Sequence, residues 1–138
     1  VVLIGYSRGG IFALEEFSTH FAFPHGQRSV KLVVSVDAFT SNRRPELGPV
    51  NPTVKAEAYL NYHQLTDRQF RGIRLSGRDS TNVLVTTREQ LEGRKNTIVV
   101  PSPLDHREIL NQPLVVNHII QQILQVPGIK PADPSDGN

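Results

Sequence analysis

The sequence predicts an α/β fold, on three observations. Short apolar runs rich in β-branched residues recur at residues 1–4, 30–36 and 97–100, and runs of this length and kind are the buried strands of a parallel sheet. The first run leads through a glycine-rich turn into Ile11, Leu14, Phe17 and Phe21, whose three- and four-residue spacing predicts an amphipathic helix over residues 11–21. A second helical face, Val115, Val116, Ile119, Ile120, Ile123 and Leu124, closes the pattern. Strand, turn, helix, strand is the parallel crossover unit, right-handed by the twist of its strands.

The remaining elements follow in order. Phe23-Pro24-His25-Gly26 breaks the first helix. The second strand ends at Asp37, and residues 40–52, rich in Pro, Asn and Arg, read as a long loop. Residues 59–64 alternate as a third strand does, although residues 54–60 also suit a short helix. Residues 73–75 and 83–87, separated by Gly77 and Asp79, predict a hairpin or meander, so antiparallel pairs are expected late in the sheet. Pro101 and Pro103 stop the last strand. Residues 1–126 make one α/β domain, and residues 127–138, dominated by Pro, Gly, Asp and Ser, read as a disordered tail. The apolar run at Val1 has no Met before it and no room for a preceding strand. The chain is therefore expected to be the C-terminal part of a larger sheet, with any targeting signal upstream, which leaves the compartment open.

Composition narrows the functions. The chain has 138 residues, enough for one core, and 38% hydrophobic against 20% charged residues mark a folded domain. The net charge of +2 comes from 15 scattered Lys and Arg without a basic run, so a nucleic-acid partner is not expected. No apolar stretch approaches the ~20 residues that span a bilayer. With no cysteine there is neither a disulfide framework nor a thiolate metal site, and the five histidines show no metal-ligand spacing, so no metal or other cofactor is expected.

Gly5-Tyr6-Ser7-Arg8-Gly9 carries the chemistry. Gly-x-Ser-x-Gly alone is a weak pattern, but here it lies between a strand and a helix, the setting of a nucleophile elbow. Such a turn thrusts the serine hydroxyl clear of the sheet and requires small residues two positions before and after it, which Gly5 and Gly9 supply. The N–H of Arg8, opening the helix, is the expected oxyanion donor. The competing reading is a phosphate-binding turn, which would want Lys beside Ser or Thr, and Arg8-Gly9 does not supply it.

A serine hydroxyl needs a base. His106 follows the strand at Thr97–Val100 and precedes the last helix, the place expected of it, whereas His20, His25, His63 and His118 lie at a helix end, in a loop, in a strand or helix before residues 73–87, and inside the last helix. The third member should hold the imidazole. Asp37, at the C-terminal end of a strand where ligand groups gather in open α/β sheets, is the first choice; Asp67, Asp79 and Asp105 are rivals.

In this order of residues the chain resembles the α/β-hydrolase superfamily, in its serine esterase and lipase branches. The matching pieces are residues 1–10, the strand Leu32-Val33-Val34-Ser35-Val36-Asp37, and Asp105-His106-Arg107-Glu108-Ile109-Leu110. Only the elbow is a specific motif. The resemblance implies a small ester or acyl substrate, with Ser7 as nucleophile, His106 as base and Asp37 as acid. Some lipases carry the acid after the strand that follows the nucleophile helix, as Asp37 does here. The resemblance also implies that a second oxyanion donor lies upstream of Val1, so this chain alone would turn over weakly or not at all. An acyltransferase or thioesterase would use the same triad, and a non-catalytic binding protein could keep the fold.

Overall fold

A computed structural model describes residues 1–16, 30–39, 49–65, 72–87, 96–101 and 104–129. Its centre is a five-stranded sheet in the order β1 (Val2–Tyr6), β2 (Val30–Val36), β3 (Ala56–His63), β4 (Ser80–Thr87), β5 (Thr97–Val100). All four pairings are parallel. The late strands therefore form no hairpin or meander, against the expectation from residues 73–75 and 83–87. The reason is a side-chain substitution for a strand. Asn82 of β4 gives its amide N–H to the Leu75 carbonyl and accepts the Leu75 N–H, both at 2.8 Å. Leu75 is otherwise bridged, in parallel, to Val50.

The first helix begins earlier than its apolar spacing indicates. α1 (Arg8–Ile11) starts directly after Ser7 and runs into a wider π-type turn, Phe12–Glu16. Phe17 and Phe21 lie outside the described residues. Residues 56–63 are strand rather than helix. α2 (Pro113–Leu124) has proline in its first turn, where the missing N–H costs nothing. A 3₁₀ turn, Ile109–Asn111, leads into it. Residues 127–128 form a turn on the end of α2, and residues 130–138 lie outside the described residues.

Two apolar layers cover the two sheet faces. On one, Leu32, Val34, Val36, Tyr62, Val83 and Val85 pack with Leu104, Ile109, Val115 and Ile119. On the other, Ile11, Leu14, Val33, Val50, Val54 and Leu75 form the second core. From Leu32 to Val36 alternate residues of β2 thus serve opposite faces, while Val30 at its start joins the second core, and each fully buried valine contributes about 1.5–3 kcal/mol over an exposed one. β1 is an edge strand, and its Ile4 is 58% exposed. The apolar face expected of α2 is graded: Val115 and Ile119 are buried, Val116 and Ile123 half-buried, and Ile120 and Leu124 exposed. No helix among the described residues is long and apolar enough to cross a membrane.

A polar row, buried at Ser35 and Asn61 and half-buried at Asn82, crosses the sheet under the site. Ser35 Oγ donates to Asn61 Oδ1 at 2.7 Å, and Asn61 Nδ2 donates to Asn82 Oδ1 and to the Ile73 carbonyl. The register places these residues side by side, Ser35 opposite Asn61 and Asn61 opposite Asn82.

Candidate active site

β1 and β2 end level with one another, and β3 runs one residue further: Tyr6 pairs with Val36 and Val36 with Tyr62, the residue before the end of β3. The next residues along the three strands therefore stand at the same rim of the sheet: Ser7, Asp37 and, as the last residue of β3, His63. Backbone bonds lock the rim. Ser7 N–H donates to Val36 O at 3.0 Å, and Asp37 N–H to Tyr62 O at 2.7 Å. The Ser7 carbonyl accepts from Gly10 at 3.1 Å and from Phe39 at 3.3 Å.

Ser7 holds φ 57° and ψ −124°. This left-handed backbone is rarely adopted by a residue with a side chain and costs about 1–3 kcal/mol. The turn is tight because Gly5 lies under it: a Cβ on Gly5 would fall 2.1 Å from the Gly9 carbonyl oxygen. The other half of the sequence rule is displaced by one residue. A Cβ on Gly9 would meet nothing within 4 Å, whereas one on Gly10 would come 2.7 Å from the Ala38 Cβ. The helix is pressed against the loop that carries the acid at Gly10, not at Gly9.

Ser7, His106 and Asp37 form one hydrogen-bonded line. His106 Nε2 is 2.8 Å from Ser7 Oγ, and His106 Nδ1 is 2.6 Å from Asp37 Oδ2. An ionised carboxylate only accepts. The proton therefore sits on Nδ1, and Nε2 is left to accept the Ser7 hydroxyl. Asp37 is fully buried and His106 nearly so, while Ser7 is half-buried. Burial pushes the Asp37 carboxyl above the ordinary carboxylate range, and hydrogen bonds from His106 and Gln64 oppose that shift.

Several contributors lay outside the sequence reading. Gln64, fully buried just past β3, gives its backbone N–H to Asp37 Oδ1 at 3.3 Å and its side-chain amide to Oδ2 at 3.2 Å. Its position at the C-terminal end of a strand was the one available signal. Tyr6 stacks on the His106 ring, centroids 5.0 Å apart and planes 19° from parallel, and its hydroxyl donates to the His106 carbonyl. Phe39 meets the same ring edge-on at 5.7 Å. Burial, then the charges of Asp37 and Asp105, push the Tyr6 phenol up, against Arg107.

The rival groups are placed elsewhere. Asp105 Oδ1 accepts the backbone N–H groups of Arg107 and Glu108, at 2.7 and 2.9 Å. Asp79 is exposed and precedes β4, at the opposite end of the sheet from Ser7. Asp67, His20 and His25 lie outside the described residues. His63 is buried at the end of β3. His118, half-buried on α2, has its Nδ1 2.7 Å from the Tyr62 hydroxyl. No group of three or more His, Cys, Asp or Glu among the described residues is arranged to hold a metal ion.

Arg8, the first residue of α1, has a backbone N–H with no intrahelical acceptor, next to the Ser7 hydroxyl. A cavity of about 390 Å³ lies at the other end of the sheet, between Lys31, Leu32, Tyr59 and the end of α2. Comparison with protein-family models, curated proteins and solved structures gave no match.

Proposed function

We propose that this protein is a serine hydrolase of the α/β-hydrolase type, cleaving small carboxylic esters through Ser7, His106 and Asp37. The observation that carries this reading is the unbroken line from Ser7 Oγ through both ring nitrogens of His106 to a buried Asp37, set on a strained serine at a strand-to-helix turn. Ser7 Oγ attacks the ester carbonyl as its proton passes to His106 Nε2. Asp37 holds the ring and stabilises the imidazolium. The Arg8 N–H donates to the oxyanion of the tetrahedral intermediate. His106 then returns the proton to the departing alcohol, leaving an acyl group on Ser7. Water, deprotonated by His106, attacks that acyl group, releases the acid and restores the hydroxyl.

The test is labelling with a fluorophosphonate probe, which reacts only with an activated serine. The chain should label, and Ser7→Ala and His106→Ala should not, with circular dichroism showing all three folded. A folded chain that stays unlabelled, or labels equally as Ser7→Ala, overturns the reading.

A further inference from the structure

We infer that Tyr6 is a positioning residue for His106, so that the strand delivering the nucleophile also aims the base that activates it. The inference rests on the serine-hydrolase reading for its chemistry, but not for its geometry. His106 lies outside the sheet, in the irregular segment between β5 and the 3₁₀ turn, so no strand ladder orients it. Its main chain is fixed from two sides. Asp105 caps the next two N–H groups, and the Tyr6 hydroxyl binds the His106 carbonyl across 100 residues of chain.

The ring itself is held by aromatic faces. Tyr6 lies flat against it and Phe39 meets it edge-on. Phe39 is tied to the elbow through the Ser7 carbonyl, so both walls of this slot move with the nucleophile. A swing of the imidazole would break the bond to Ser7 or to Asp37, because the two lie on opposite ring nitrogens. A misplacement of about 1 Å can cost about a hundredfold in rate. Burial and the nearby carboxylates keep the Tyr6 phenol protonated, so its hydroxyl stays a donor.

Tyr6→Phe removes the hydroxyl and keeps the stacked ring; Tyr6→Leu removes both. Two readouts are needed. The first is the fluorophosphonate labelling rate from pH 5 to 9, expected to fall about tenfold in Tyr6→Phe and about a hundredfold in Tyr6→Leu, with melting temperatures showing both folded. The second needs no turnover: the NMR signal of the His106 Nδ1–H shared with Asp37, recorded in the Ser7→Ala protein. It should persist with Tyr6→Phe and broaden into water exchange with Tyr6→Leu. A folded Tyr6→Leu protein that keeps this signal overturns the inference, whatever its labelling. Loss of the signal in Tyr6→Leu from a parent chain that never labels would uphold the positioning and remove the hydrolase reading alone.

Discussion

Gly72 lies against Asp37 so closely that a Cβ on it would stand 2.2 Å from the carboxylate Oδ1 and 3.1 Å from the His63 Cβ. The acid of the line is thus boxed in by a residue that has no side chain to give. Gly72→Ala should displace Asp37, lower the labelling rate about a hundredfold and cost about 1–3 kcal/mol of stability from overpacking. Urea unfolding and probe labelling of the same preparation check this; parental values in both would show that the loop yields without consequence.

The two elbow glycines should behave differently. Gly5→Ala would drive a methyl into the Gly9 carbonyl, and loss of the folded state or of all labelling is expected. Gly9→Ala meets open space in a helix, and the lowered entropy of the unfolded chain should stabilise it by about 0.4–1 kcal/mol. Thermal melts of the two variants give the comparison, and a Gly9→Ala protein less stable than the parent would count against it.

Ser7 carries its backbone strain at a cost to the fold. Ser7→Gly adopts the same φ freely and should gain about 1 kcal/mol while losing all labelling. A Ser7→Gly protein less stable than Ser7→Ala would mean that the turn is not strained.

Asp37→Asn should cut reactivity about 10⁴-fold, since the imidazole loses its orienting charge. Its stability should move the other way. Burial raises the Asp37 carboxyl in the folded chain, so the native state binds that proton more tightly than the unfolded one does. The contribution is most favourable below the ordinary carboxylate value of about 3.9 and is lost as pH rises through the raised value. The Asn side chain has no such loss. The stability of Asp37→Asn relative to the parent should therefore climb from pH 4 upward and then level off. Paired urea titrations across that range measure it, and a flat or falling difference would contradict the burial cost.

Asn82→Ala removes both bonds to the Leu75 main chain and the link to Asn61. The stranded polar groups should cost about 2 kcal/mol. The loss should spread to labelling, because residues 72–75 sit between this asparagine and Asp37. Labelling at the parental rate in a measurably destabilised Asn82→Ala protein would show that the segment holds its place without the anchor.

The sheet was legible wherever a strand was continuous and apolar. Val30–Val36 and Thr97–Val100 matched their runs residue for residue. Ser7, Asp37 and His106 were legible because local pattern and the order of elements both point to them. Pairing direction was not, since a short strand such as Ser80–Thr87 carries the same alternation whether its neighbour runs with it or against it. Asn82 standing in for a strand backbone has no periodicity to detect. Gln64, Gly72 and Tyr6 escaped for a related reason: each matters through a residue distant in sequence, and spacing along the chain cannot report such contacts.

The common register of the first three strands has a consequence for which changes the chain tolerates. Because Tyr6, Val36 and Tyr62 share one register, the sheet works as a ruler, and side chains alternate along it. Deleting one residue anywhere in Val30–Val36 would shorten that measure by one step. Asp37 would then be carried below the rim and turned to the opposite face, out of reach of His106. The length of β2 is therefore as much a part of the site as the three residues that meet there.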